Sequence, residues 1–278
     1  MLHRSSFGPY LLAGVLCAAM AGAQAHDEKK YPEWNGQWQR TAGVQWDPTK
    51  PLGLGQQPPL IPEYQAMFEA GLADQAAGGQ GNDVNYLCLP AGMPRVMTVI
   101  YPMEIIITPA TTYMHIETGN QFRRIYTDGR KWPEFVEPSF QGYSIGKWED
   151  QDANGRYNTL VVETRFMKGP RTFDQGGIPF HKDNQTVVKE RLYLDKANPD
   201  TLYDEITTID NALTRPWTVT KKYRREHKPI WFEYACAEGN HHVLVGKENY
   251  YVSDDGLLMP TRKGQAPPNL KHFNQPAK

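Results

Sequence analysis

The sequence predicts an all-β protein, folded as an antiparallel up-and-down barrel with one helix near its N-terminal end. After residue 86, short segments that alternate apolar and polar residues recur about every 8 to 12 residues, which is typical of β-barrels and β-sandwiches. The 7 Trp, 15 Tyr and 10 Phe are enough to build a large core. A closed barrel also removes exposed sheet edges. A two-sheet β-sandwich is the competing architecture.

The N-terminal residues 1–25 are predicted to be a signal peptide. Arg4 supplies a positive charge, residues 10–21 are apolar, and Ala23-Gln24-Ala25 fits a cleavage site. The apolar run is too short to span a bilayer, so membrane insertion is not expected. We therefore predict a periplasmic or secreted protein whose mature chain begins at His26.

One helix and a series of strands follow the signal peptide. Pro62 is predicted to begin the helix, apolar residues recur at helical spacing up to Leu72, and a glycine-rich run at 78–81 ends it. We assign 26–85 to an extended segment that contains this helix, and 86–278 to the barrel domain. The predicted strands are Tyr101–Thr108, Thr111–Thr118, Gln121–Asp128, Tyr143–Glu149, Asn158–Arg165, Val187–Leu194, Thr201–Asp210, Trp217–Arg224 and Trp231–Cys236.

The first three of these strands can be placed in register. If Pro109-Ala110 and Gly119-Asn120 are two-residue loops, the residue numbers of opposing pairs sum to 219 in the first hairpin and to 239 in the second. One face is then an apolar core face. It carries Met103, Ile105, Ile107, Met114, Ile116 and Ile125. The other face carries Glu104, Ile106, Tyr113, His115, Glu117, Phe122, Arg124 and Tyr126.

The second face is the candidate active site. In the predicted register Glu104 opposes His115, and His115 opposes Arg124, so an acid, an imidazole and a guanidinium form a row that can perform acid–base chemistry. We assign catalytic roles to Glu104, Glu117, Arg124, Tyr126 and His115, and ligand contacts to Tyr113, Phe122 and Ile106. The alternative is a wet outer face on which opposite charges pair across strands.

The two cysteines outside the signal peptide, Cys88 and Cys236, are predicted to form a disulfide, because an exported protein meets an oxidising compartment. The alternative is a catalytic thiolate. The apolar neighbours of Cys88 disfavour it, since they would raise the pKa of the thiol.

Other motifs carry less chemistry. Gly142-Tyr143-Ser144-Ile145-Gly146 matches G-x-S-x-G, but it lies in a predicted strand without a following helix, so we expect no nucleophile there. His26 at a mature N-terminus would offer copper an amine and an imidazole. His241 and His242 point to opposite faces if they lie in a strand. No required metal and no cofactor is predicted, and the formal charge of −1 argues against nucleic acid as a partner.

Several segments resemble a large family of secreted bacterial proteins, and the early Gly36-x-Trp38 resembles the start of lipocalin-type barrels. The family segments are 88–95, 123–130, 144–149, 160–164, 216–219 and 233–236. The resemblance implies export and a shared fold but no activity. The family pattern includes Glu117 and Arg124, which favours Glu104, Glu117, Arg124 and Tyr126 over His115 as catalytic groups.

The function expected from the sequence is therefore that of an exported, cofactor-independent enzyme. It would hold a hydrophobic or aromatic small molecule inside the barrel and act on it by acid–base chemistry, as an isomerase, lyase or hydrolase. A non-catalytic carrier of such a molecule is the alternative, and a structural envelope protein is a third hypothesis. The sequence does not indicate an oligomeric state.

Overall fold

The computed structural model describes residues 27–41 and 57–269, so the predicted signal peptide and His26 lie outside the described residues. The protein is all-β, with nine strands in a closed barrel, and the described residues contain one α-helix. The barrel strands are β1 Gln37–Arg40, β2 Met103–Ile107, β3 Thr111–Ile116, β4 Gln121–Tyr126, β5 Tyr143–Glu149, β6 Thr159–Arg165, β7 Val187–Leu194, β8 Thr201–Ile209 and β9 Trp217–Glu226.

The strands follow one another around the barrel in chain order, and β9 closes on β1. Every junction is antiparallel except β4–β5, which is parallel and is held by the pairs Ile125↔Ser144 and Tyr126↔Ile145. Residues 127–142 carry the chain back along the barrel before β5 begins, and this return allows the parallel pairing. Since β1 belongs to the barrel, the barrel starts before the predicted domain boundary at residue 86.

The helix α1 spans Pro62–Ala76, as the sequence predicts, with proline at its first turn. It packs against the barrel through Tyr64 and Phe68, which are buried. The hydroxyl of Tyr64 accepts a hydrogen bond of 3.1 Å from the backbone N–H of Lys182. This contact fixes the helix against the loop that joins β6 to β7.

The barrel interior is filled by side chains from the strands and from two connecting segments. Trp38 on β1 is fully buried, and its indole N–H donates to the carbonyl of Trp34 at 2.9 Å. The guanidinium of Arg225, on β9, covers the Trp38 ring at 4.3 Å. Met93 and Phe173 enter the core from the connecting segments and have no exposed surface. Each such side chain contributes about 1.5–3 kcal/mol by leaving water.

The chain after β9 crosses the outside of the barrel and ends in a separate small sheet. The prediction of a strand at Trp231–Cys236 is wrong, because side chains of the barrel hydrogen-bond the backbone there: Gln37 donates to the carbonyl of Ile230, and Glu117 accepts from the N–H of Phe232. The predicted disulfide between Cys88 and Cys236 is confirmed and fastens the end of this segment. The small sheet contains β10 His242–Val245, β11 Glu248–Val252 and β12 Leu258–Pro260.

Candidate functional site

The predicted register is confirmed in the first hairpin and wrong in the second. The residue numbers of opposing pairs between β2 and β3 sum to 219, as predicted. Between β3 and β4 they sum to 237 instead of 239, because Ile116 pairs with Gln121. Residues 117–120 form a four-residue loop with a 3-10 turn, in which Gly119 and Asn120 have φ angles of 65° and 48°. His115 therefore opposes Phe122 instead of Arg124, and the predicted three-strand row is broken.

A shift of two residues keeps every side chain on its predicted face, and that face is the outside of the barrel. Phe122 and Ile106 are each 48% exposed, and Arg124 is exposed as well. Glu104, Tyr113, His115 and Tyr126 are half-buried, and Glu117 is buried beneath the segment that follows β9. This face is thus the outer face of the alternative interpretation, and the catalytic role of its residues stays a prediction.

His115 is used for packing on this outer face. Its ring lies 4.1 Å from that of Phe122 and 4.2 Å from that of Trp231, measured between ring centroids. This sandwich shields the imidazole from water and lowers its pKa, although the carboxylate of Glu104 on the neighbouring strand opposes the shift. The stack fastens the segment after β9 to the barrel.

The charged residues inside the barrel are different ones, and the sequence reasoning missed them. Arg123 on β4 is 1% exposed and forms a two-bond ion pair with Glu190 on β7, with one bond of 2.8 Å. Arg123 also donates to the hydroxyl of Thr164 at 3.2 Å, and Thr164 bonds Ser144 at 2.8 Å. Ser144 lies in β5, as expected, and is not a nucleophile at a strand-to-helix turn.

Asp204 on β8 lies beside this ion pair and has no exposed surface. Neither oxygen of its carboxyl group accepts a hydrogen bond from any described residue. Burial raises the pKa of Asp204 well above its usual value, and the nearby Glu190 carboxylate raises it further. Asp204 lies opposite Lys221 in the ladder between β8 and β9, and Lys221 is also fully buried. The interior thus holds a cluster of charged and polar side chains within an apolar core.

A second buried acid should make stability depend on pH. Burial raises the pKa of Asp174 from 3.8 to about 6, even though Lys221 and Arg95 lie nearby. The folded protein then holds this proton more tightly than the unfolded chain, so the stabilisation is complete below pH 4 and is lost as the pH passes 6. Between pH 4 and pH 7 the wild type should lose free energy of unfolding, measured by urea unfolding. Asp174→Asn should lose about 2–3 kcal/mol less over the same interval.

The matched control for this experiment is Asp254→Asn, since Asp254 is exposed. It should keep the pH dependence of the wild type. The interpretation fails if Asp174→Asn loses as much stability as the wild type between the two pH values.

A cleft of about 480 Å³ opens between the segment that follows α1 and the loop that joins β6 to β7. Asn82 ties its walls together, because its amide donates to the carbonyls of Met67 at 3.1 Å and Gly177 at 3.2 Å. Gly177 has a φ of +79° and passes so close that a Cβ atom would lie 3.1 Å from the Cβ of Asn82. We call this cavity the His181 cleft; besides Met67 and Asn82 it is lined by Gly81, Asp83, Val84, Tyr86, Gly169, Pro170, Arg171, Thr172, Pro179, Phe180, His181, Lys182 and Asn184.

His181 and Asp183 form a dyad at the cleft. The backbone N–H of Asp183 donates to Nδ1 of His181 at 3.2 Å, and a carboxylate oxygen of the same residue lies 2.8 Å from Nδ1. In the neutral ring Nδ1 accepts that hydrogen bond and Nε2 carries the proton, and the carboxylate contact becomes an ion pair once the ring is protonated. The N–H of Gln185 lowers the pKa of Asp183 to about 2, with help from Asn211 and His181, so the carboxylate stays charged. The ring also packs on Tyr64, 5.3 Å away between centroids.

The same region carries two buried arginines. Arg95 binds the carboxylate of Asp83 through two bonds of 2.8 and 3.1 Å, and it also donates to Thr172 at 2.7 Å. Arg171 lines the cleft, and its guanidinium lies over the ring of Phe180 at 4.4 Å. No sequence motif marks this set, but His181 and Asp183 stand two residues apart in a loop, a spacing that allowed the dyad.

Within residues 27–41 and 57–269, no group of three or more His, Cys, Asp or Glu side chains is placed to hold a metal ion. His241 and His242 each pack on Tyr251. Over the same two ranges, none of the helices has the length and apolar character needed to span a bilayer.

Comparison with known proteins adds no family assignment. No protein-family model matches the chain, and no curated protein matches it significantly.

Proposed function

We propose that the protein is an exported enzyme that performs acid–base chemistry on a small organic molecule bound in the His181 cleft, as an isomerase, lyase or hydrolase. The observation that carries this proposal is the His181–Asp183 dyad at the lining of a cleft of about 480 Å³. The disulfide supports export, since such bonds persist mainly in oxidising compartments.

The short distance between Nδ1 and the Asp183 carboxylate supports a general base at His181. A tautomeric shift that places the ring proton on Nδ1, 2.8 Å from that carboxylate, would free the electron pair of Nε2 to take a proton from a bound molecule. The charged carboxylate also stabilises the imidazolium that forms. The base then returns its proton to another atom of the substrate, which accounts for isomerisation or elimination without a change of oxidation state.

This chemistry can be tested without knowing the natural substrate. In D₂O, a general base in the cleft should accelerate deuterium uptake at the carbon next to the carbonyl in a panel of aromatic and aliphatic oxo acids and ketones, followed by proton NMR. The His181→Gln variant is expected to reduce this acceleration by about 100-fold or more, the usual contribution of a positioned base.

The chain offers a matched control. His227 has a similar 2.8 Å contact with Asp200, but its side chain is 68% exposed and it does not line the cleft. The His227→Gln variant should therefore accelerate deuterium uptake by the substrate as much as the wild type does. If the wild type binds members of the panel but accelerates none of them, the carrier hypothesis replaces the enzyme.

A further inference from the structure

The buried arginines differ in how their charge is balanced. Among the described residues three arginines are buried: Arg95, Arg123 and Arg171. Arg95 and Arg123 each bind a carboxylate through two hydrogen bonds, to Asp83 and Glu190. Arg171, only 5% exposed, forms no ion pair with any described residue.

The guanidinium of Arg171 is held in place by neutral groups. Nη2 donates to the hydroxyl of Thr186, which in turn bonds the carboxylate of Asp210, so the acid reaches Arg171 only through an intervening hydroxyl. Nη1 makes one long bond of 3.5 Å to the carbonyl of Met93, and Nε has no hydrogen-bond partner among the described residues. The Phe180 ring supports the guanidinium plane at 4.4 Å. Its orientation is therefore fixed while part of its hydrogen-bonding capacity is unused.

A buried cation without a directly bound anion is costly, because its lost hydration is not replaced. Consistent with this, burial lowers the pKa of Arg171 to about 10, which still leaves it charged at neutral pH. An anionic group that enters the cleft would restore the balance. A planar carboxylate suits a planar guanidinium, since the two can form parallel hydrogen bonds.

The rest of the lining indicates what the body of the ligand is like. Among its charged residues Asp83 is already bound by Arg95 and Lys182 is a second cation, while Asp183 lies beside His181 and is not part of the lining. The apolar part of the lining suits an aliphatic or aromatic body. It is formed by Met67, Val84, Tyr86, Pro170, Pro179 and Phe180.

We propose that the His181 cleft binds small carboxylates with an apolar or aromatic body, and that Arg171 is the residue that recognises the carboxylate. This inference rests on the proposed function for the identity of the site. It names the substrate class: carboxylic acids that His181 could deprotonate at carbon.

The test compares two probes of equal shape, benzoate and neutral benzamide, on the wild-type protein. Calorimetry is expected to show that benzoate binds at least tenfold more tightly than benzamide, and amide NMR should place the shifted resonances in residues 81–86 and 169–184. Arg171→Gln should remove this preference. Arg191→Gln, which changes a partly exposed arginine at another cavity, should retain it.

Equal affinity of the wild type for the two probes would overturn the proposal, as would a benzoate preference that survives Arg171→Gln. If Arg171→Gln does not fold, the proposal is judged on the wild type alone. It stands if benzoate binds more tightly than benzamide and the shifted resonances lie in residues 81–86 and 169–184, and it fails otherwise. Tighter binding of inorganic phosphate than of benzoate would contradict recognition of a carboxylate with an apolar body.

Binding and turnover separate the two proposals. Benzoate selectivity without deuterium exchange would retain the carboxylate site and reject the acid–base function. Exchange of neutral ketones that benzoate does not inhibit would retain the function and reject the carboxylate site.

Discussion

Replacing Cys88 and Cys236 with alanine is expected to lower the free energy of unfolding by about 5 kcal/mol, the largest stability effect that we expect from any substitution. The disulfide joins residues 148 positions apart, and a loop of that length greatly restricts the unfolded chain. Urea unfolding monitored by tryptophan fluorescence would measure the loss.

The single substitutions provide the control for this experiment. Cys88→Ala and Cys236→Ala each remove the same bond, so each should cost nearly as much as the double substitution. A double variant that loses less than about 1 kcal/mol would show that the disulfide does not restrict the unfolded chain in this way.

Glu190→Gln is expected to lower the free energy of unfolding by about 3–5 kcal/mol, because it leaves the Arg123 guanidinium buried without its counter-ion. Arg123 is 1% exposed and Glu190 is 2% exposed, so water cannot replace the lost charge. Equilibrium unfolding of the two proteins at pH 7 measures the difference.

A surface ion-pair cluster on β6 and β7 is the comparison. Glu163 on β6 pairs with Arg165 and Lys189 on the outer face, and Glu163→Gln should cost less than about 1 kcal/mol. Removing both buried charges with Arg123→Met and Glu190→Leu should recover most of the stability lost in Glu190→Gln. Equal costs for Glu190→Gln and Glu163→Gln would contradict the burial argument.

The periodicity of the sequence was sufficient to predict the barrel strands β2 to β9, but not β1 or the small sheet of β10 to β12. β5 and β7 have the predicted bounds, and β6, β8 and β9 differ from prediction by one or two residues. Alternation of apolar residues survives in these strands because each has one face in the core. The predicted register of the second hairpin was wrong, because nothing in the Gly119-Asn120 pair distinguishes a two-residue turn from the four-residue loop that forms.

Most of the interior charges were missed because they stand between apolar neighbours of the same face. Glu190 lies between Val188 and Leu192, and Asp204 lies between Leu202 and Ile206. A charged residue at the middle inward position of a strand is the signal that would have found them. His181 and Arg171 come from a long loop, whose path depends on tertiary contacts such as that between Asn82 and Gly177.

The arc formed by β2, β3 and β4 is joined to the rest of the barrel wall by only two residue pairs at each edge, Gln37↔Glu104 and Trp38↔Met103 on one side and Ile125↔Ser144 and Tyr126↔Ile145 on the other. Few backbone hydrogen bonds would break if this arc swung outward. Arg123 reaches from β4 through the packed interior to Glu190 on β7, so this ion pair, together with the bond from the Trp148 indole to Thr112, holds the arc to the rest of the barrel.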